Sequence, residues 1–174
     1  MEWDFIIRLC VAGLCGTVIG LDREYRVKDA GFRTHFLVAL GSALIMIVSQ
    51  YGFADILMHT GVGLDPSRIA AQVVSGIGFI GAGTIIVTKR QRVKGLTTAA
   101  GLWASACLGL AIGAGYYECV GVSVALILVC MYAFPALENR LIQRSRYMNI
   151  LAELDGMECL GGILSTLREQ GVTV

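Results

Sequence analysis

Apolar residues fill five long stretches of this chain, at roughly residues 4–21, 36–54, 68–87, 97–115 and 118–136. Each is close to the ~20 apolar residues that cross a bilayer as a helix. The pattern predicts an all-α polytopic membrane protein with five transmembrane helices. The polar residues between the stretches are uneven in charge. The first connection holds Arg23, Arg26, Lys28 and Arg33, and the third holds Lys89, Arg90, Arg92 and Lys94. Arg140, Arg144 and Arg146 follow the last stretch. No Lys or Arg lies between Tyr51 and Ser67, or between Gly113 and Gly121. The positive-inside rule then predicts the N-terminus outside and the C-terminus in the cytoplasm. Arg8 lies near the outer end of the first span, within snorkelling reach of water.

Local signals mark several helix ends. Asp65-Pro66 reads as an N-cap followed by Pro at the first helical position, opening the third helix. Gly31 reads as a C-cap for a first helix that runs on past the membrane. On that extension Asp22 precedes Arg26, and Glu24 precedes Lys28, at i,i+4 spacing that suits a solvated helix surface.

The third stretch contains a literal G-x-G-x-x-G at Gly76, Gly78 and Gly81. A dinucleotide fingerprint needs a strand before it, a helix after it and an acid about 20 residues on. Here the match falls inside an apolar span, and no acid follows until Glu118. The glycines therefore point to helix packing. Lipid tails are as apolar as Leu, so close approach of small residues drives association inside a membrane. Ala12, Gly16 and Gly20 recur at steps of four in the first span, as do Gly101, Ser105, Gly109 and Gly113 in the fourth. In the third, Gly76 and Gly83 share a stripe with Arg68, Gln72, Ser75 and Phe79, while Gly78 and Gly81 fall on other faces. Spans one, three and four are expected to form the tight core, with the Val-, Leu- and Ile-rich fifth span at the periphery.

Composition supports the membrane reading. Of 174 residues, 56% are hydrophobic and 16% charged, against about 25% charged in a soluble domain; mean hydropathy is +0.71. The net charge of +1 says nothing about partners, and no nucleic-acid partner is expected. The N-terminus Met1-Glu2-Trp3-Asp4 is acidic and no A-x-A site follows, so the first apolar stretch is expected to stay in the mature protein. Six cysteines (Cys10, Cys15, Cys107, Cys119, Cys130, Cys159) form no C-x-x-C and read as small apolar fillers. His35 and His59 lack a helical His partner. No catalytic constellation, metal set or cofactor is expected.

Candidate chemistry lies in two places. Arg68, Gln72 and Ser75 form a polar stripe descending from the outer face, with Asp65 at its lip. Intramembrane polar groups usually face a bundle interior or a wet cavity. Either the stripe lines an outward vestibule, or Asp65 caps, Arg68 snorkels and Gln72 bonds a neighbouring helix. Around the basic connections, Arg23, Arg33 and Lys94 either hold anionic membrane lipid or a partner, or only fix topology. A weak repeat sets Gly31 with Thr34 and Gly95 with Thr98, each after a basic segment.

Four blocks, "GTVIGLDRE" (Gly16 to Glu24), "KDAGFRTHFLVALGSAL" (Lys28 to Leu44), "DPSRIAAQVVSGIGFIGAGTI" (Asp65 to Ile85) and "VKGLTTAAGLW" (Val93 to Trp103), resemble the MgtC/SapB family of bacterial inner-membrane proteins. The resemblance runs over most of residues 1–136. Asp22 stands where the family more often has Glu, which keeps the charge and shortens its reach. Asp22, Arg23, Glu24, Arg33, Thr34, His35, Asp65, Arg68, Gln72, Ser75 and Thr98 are the candidate polar functional positions.

The resemblance implies a multi-pass domain at 1–136 in the bacterial inner (plasma) membrane, sometimes followed by a cytoplasmic ACT-like domain. After a basic linker at 137–147, residues 148–174 suit the start of such a domain, a β-α-β fragment of βαββαβ. A fragment that short does not bury its own core. The family is linked to growth at low magnesium and to virulence, and its founding members to inhibition of the membrane part of the F-type ATP synthase. The resemblance therefore implies a non-enzymatic regulator; the small-residue stripes of spans one and four are its expected contact faces, and several such faces suit a homodimer. The alternative is a small Mg²⁺ or proton transporter; against it, Asp22, Glu24, Asp65 and Glu118 all fall at span ends and none lies mid-membrane, where a Mg²⁺ path would want a carboxylate.

Overall fold

A computed structural model of the chain describes residues 2–53, 65, 67–87, 93–143 and 162. Among them run five helices: α1 (Glu2–Tyr25), α2 (Phe32–Tyr51), α3 (Ser67–Gly83), α4 (Leu96–Gly113) and α5 (Tyr117–Gln143). Strands β1 (Ile86–Val87) and β2 (Val93–Lys94) pair antiparallel, with Ile86 opposite Lys94 and Val87 opposite Val93. Four stretches are long and apolar enough to cross a membrane: Trp3–Tyr25, Phe32–Tyr51, Leu96–Gly113 and Tyr117–Leu137. The third apolar stretch is helical for 17 residues only and is not among them. It ends at Gly83, where the Thr84 hydroxyl and backbone N–H both turn back to the Gly81 carbonyl. The β-branched run Thr84-Ile85-Ile86-Val87 then enters the ribbon, a conformation that suits such side chains.

The chain divides into compact units at Met1–Phe134 and Pro135–Val174. Pro135 lies inside α5. The tail expected at 148–174 lies outside the described residues except Gly162, as does the linker beyond Gln143.

The tight core of the first unit is α1, α2 and α4, which corrects the expectation that spans one, three and four form it. The small residues of α1 and α4 both meet α2. A Cβ on Gly16 would lie 2.5 Å from the His35 carbonyl oxygen, and one on Gly20 would collide with Phe32 Cα. On α4, a Cβ at Gly109 would strike the Ala39 carbonyl, and one at Gly113 would lie 2.6 Å from the Ala43 carbonyl. The central helix is recognisable by its own modest side chains, Ala39, Ser42 and Ala43, all buried. On α3, by contrast, Cβ atoms on Gly76, Gly78 and Gly83 would meet nothing within 4 Å, and only Gly81 approaches a neighbour, Ala99 of α4. Helix α5 is peripheral, as expected: 6% of its spanning window is buried, against 50% for α4. Ala12, Ile19, Ala43, Leu108, Ile112 and Val120 form the apolar cluster.

The contacts fix directions. Gly13, Gly16 and Gly20 meet Phe36, His35 and Phe32, so α1 and α2 run antiparallel. Gly101, Gly109 and Gly113 meet His35, Ala39 and Ala43, so α2 and α4 run parallel. The ends of α1 at Arg23, of α2 at His35 and of α4 at Thr98 therefore lie together.

Helix ends differ from expectation in two places. α1 stops at Tyr25 in a Schellman motif, with Lys28 N–H on the Arg23 carbonyl and Val27 N–H on the Glu24 carbonyl, both at 3.0 Å. Val27 takes the left-handed position with φ 51°. Gly31 is instead the N-cap of α2, in extended backbone, because α1 has already ended six residues earlier, at Tyr25. Arg8 does not reach for water. Its Nη1 donates to the Gly113 carbonyl at 2.7 Å, its Nη2 pairs with Asp4 at 2.6 Å, and its guanidinium lies 5.7 Å from the Tyr51 ring centroid. A cation at the C-terminus of α4 also complements the helix dipole.

Candidate functional site

Four polar side chains from three helices converge at one end of the bundle. Asp22 and Arg23 come from the last turn of α1, His35 from the first turn of α2, and Thr98 from the first turn of α4; none is more than 5% exposed. Arg23 Nη2 donates to Thr98 Oγ1 at 2.5 Å, joining residues 75 positions apart. Asp22 Oδ1 accepts from Arg26 Nε at 3.0 Å. This pair has the predicted spacing, but it is not the solvated surface pair expected, because the Asp22 side chain is enclosed by the bundle. Lys28 closes the Schellman turn, past the end of the helix, and makes no ion pair with Glu24.

His35 Nδ1 lies 3.0 Å from the Gly31 carbonyl. A carbonyl only accepts, so Nδ1 carries a proton, and in the neutral ring Nε2 is the acceptor. Nε2 faces α4 at Gly101, where a Cβ would stand 3.4 Å away. Asp22 Oδ2, Arg23 Nε, His35 Nε2 and Ser105 Oγ are all buried without a hydrogen-bond partner among the described residues. Such a group costs about 1–3 kcal/mol when left unpaired. Arg8 Nε and Gln50 Oε1, at the opposite end, are unpaired in the same way, so what sets this end apart is the convergence of Asp22, Arg23, His35 and Thr98 from three helices.

The other candidates are placed elsewhere. Glu24 and Arg33 are exposed, and Thr34 is half-buried. The Glu24 carboxylate lies against Gly31, where any side chain would collide with it. Thr34 and Thr98 follow the N-cap glycines of α2 and α4, but Gly31 has φ −93° and Gly95 φ 93°. Gly95 also abuts the Thr84 carbonyl, so both its conformation and its contact exclude a side chain.

Asp65 caps α3: Oδ1 accepts from the Ser67 backbone N–H at 2.9 Å and from the Ser67 hydroxyl at 2.6 Å. Those two donors hold its carboxyl below the usual carboxylate range. Arg68 approaches Asp65 at 4.0 Å. Arg68, Gln72 and Ser75 are exposed, and Phe79 is 87% exposed. The polar stripe therefore does not line an interior of this bundle; it lies on the outward face of α3, which the neighbouring helices do not cover.

Arg26 entered the sequence reading only as the i,i+4 partner of Asp22, not as a candidate functional position. It is held between Asp22 and the ring of Tyr132, whose centroid is 5.2 Å from its guanidinium. The i,i+4 spacing carried half of this signal; the partner on α5 carried none. Among the described residues, no three His, Cys, Asp or Glu side chains stand close enough to hold a metal ion.

The sequence that builds this bundle has relatives. The MgtC family model matches residues 9–140, and the chain belongs to that family. Over 150 residues it is 49% identical to the Escherichia coli K12 protein named "Putative magnesium transporter YhiD", covering 86% of this chain and 69% of that one. Protein SapB of Bacillus subtilis is 39% identical over 132 residues, 76% of this chain and 57% of its own length. Protein MgtC of Salmonella typhimurium LT2 is 40% identical over 130 residues, 75% of this chain and 52% of its own. No solved structure matches. With its apolar helices, the family membership makes this a multi-pass membrane protein.

Proposed function

We propose that this chain is a non-enzymatic inner-membrane regulator that docks on another membrane protein through the outward face of α3. The observation that carries this reading is the unequal use of small residues. Gly16, Gly20, Gly109 and Gly113 are consumed against α2, whereas Gly76, Gly78 and Gly83 have open space. This moves the contact face from spans one and four to span three. In a bilayer the exposed Gln72 needs a polar neighbour, and open glycines admit a close one. A second copy of the chain and the membrane part of the F-type ATP synthase are the two occupants in this reading, the latter from the family resemblance, with a link to low-magnesium adaptation.

The same reading takes α3 as a fifth crossing. Because α2 and α4 run parallel, the chain between them must return across the bundle, and 17 residues rise about 25 Å. The basic connections then lie in the cytoplasm with the C-terminus, and residues 148–174 begin an ACT-like domain there.

Proton pumping in inverted membrane vesicles tests the function, driven separately by ATP and by NADH. Loss of ATP-driven pumping alone is the expected result, abolished by Gly76→Leu. Loss of both would mean a leak and would replace the regulator by an ion path.

That second reading, transport of Mg²⁺ or protons, is favoured by the buried Asp22, Arg23 and His35 with their unpartnered atoms. A relative's name carries the words magnesium transporter. Uptake of Mg²⁺ into proteoliposomes that is lost in Asp22→Asn would support it.

A further inference from the structure

A groove of about 610 Å³ runs between α1 and α5, lined by Val18, Leu21, Asp22, Glu24, Tyr25, Leu128 and Tyr132. That volume is in the range of ligand clefts. Its wall is apolar at Val18, Leu21 and Leu128 and polar at the other end. The polar groups sit where the spanning stretch Trp3–Tyr25 ends, which is headgroup depth. Val18 lies seven residues deeper on the helix, about 10 Å, among the acyl chains.

The charges at the mouth are ordered. Two carboxylates, Asp22 and Glu24, belong to the lining. Asp22 is 5% exposed, and its Oδ2 has no hydrogen-bond partner among the described residues. Glu24 is exposed and forms no ion pair among those residues. Arg26 is not part of the lining itself but joins two residues that are, with Nε on the Asp22 carboxylate and its guanidinium over the Tyr132 ring. The rest of its guanidinium fork is left for an oxygen anion, for which its planar geometry is suited.

We propose that this groove holds a phospholipid with a primary-ammonium headgroup. The ammonium lies against Glu24 and Asp22, the phosphate against Arg26, and one acyl chain along Val18, Leu21 and Leu128. An anionic headgroup without an amine would set its negative charge beside two carboxylates. A trimethylated amine keeps the charge but loses every N–H donor, and hydrogen bonds to charged groups are the stronger ones. This inference is independent of docking through α3.

The test is native mass spectrometry of the full chain released from bilayers containing equal amounts of phosphatidylethanolamine, phosphatidylcholine and phosphatidylglycerol. Retained phosphatidylethanolamine is expected to exceed phosphatidylcholine about tenfold, the size of one charged hydrogen bond. Glu24→Gln, at an exposed position, should remove most of that preference. Leu128→Trp should reduce all retained lipid alike by filling the apolar part. Equal retention of the three lipids would overturn the proposal, as would a preference for phosphatidylglycerol. So would a lipid-free dimer that Leu128→Trp dissociates, since a second copy would then fill the groove.

Discussion

Thr98 gives Arg23 its one hydrogen bond within the buried cluster. Thr98→Val keeps the shape of the side chain and removes the acceptor, leaving a buried guanidinium unpaired. The expected cost is about 1–3 kcal/mol, read as a lower melting temperature of the detergent-solubilised protein. Thr98→Ser keeps the hydroxyl and should cost much less; an undamaged Thr98→Val beside a damaged Thr98→Ser would mean that methyl packing, not the hydrogen bond, matters at this position. Val27 offers the opposite case. A β-branched residue at φ 51° is strained, at about 1–2 kcal/mol for the left-handed region. Val27→Gly relieves this while adding about 0.5–1 kcal/mol of unfolded-state entropy. A net gain of about 0.5–1 kcal/mol is expected, and an unchanged or lower melting temperature would refute it. Residues of this kind were only half legible in the sequence. Asp22, Arg23, His35 and Thr98 stood out as polar groups beside apolar stretches, but nothing in their spacing said that they meet. Helical periodicity assigns a residue to a face of its own helix and is silent on which helix lies opposite.

At the scale of elements the same limit explains the misplaced core. Glycine at steps of four marked α1 and α4 correctly as close-packing helices. It also suggested α3, whose glycines are as frequent, and it overlooked α2, whose Ala39, Ser42 and Ala43 do the central packing. A small-residue stripe shows that close approach is allowed; it does not show that a neighbour inside the same chain uses it. The two kinds of glycine should respond differently to one added methyl group. Gly109→Ala and Gly113→Ala drive a Cβ onto α2 backbone carbonyls and should each cost about 1–3 kcal/mol by overpacking. Gly76→Ala and Gly78→Ala meet open space and should raise helix propensity by up to about 1 kcal/mol. Unfolding in detergent separates the sets. If Gly76→Ala also destabilises the monomer, α3 packs inside the bundle and is not free to dock.

For the whole molecule, direction is the property that joins sequence pattern to function. The apolar stretches and the basic connections were legible because length and charge are written along the chain. Five alternating crossings also send spans two and four the same way; that α2 and α4 pack directly on each other was not legible, because it exists only in which side chains touch. Together they make a strict prediction. Val27 and Lys94 flank helix ends that meet at the Arg23 end, and Tyr116 follows the opposite end of α4. Single cysteines placed at Val27, Lys94 and Tyr116, in a chain with its native cysteines replaced by Ala, report their side through a membrane-impermeant maleimide. Val27→Cys and Lys94→Cys should react in inverted vesicles and stay protected in intact spheroplasts, and Tyr116→Cys should do the reverse. Exchange of all three sides would keep the fold and reverse the orientation, against the placement of the basic residues. Val27→Cys and Lys94→Cys on opposite sides would contradict the parallel packing of α2 and α4 itself. The Arg23 end, with the lipid groove beside it, would then no longer share one membrane surface with the start of α4.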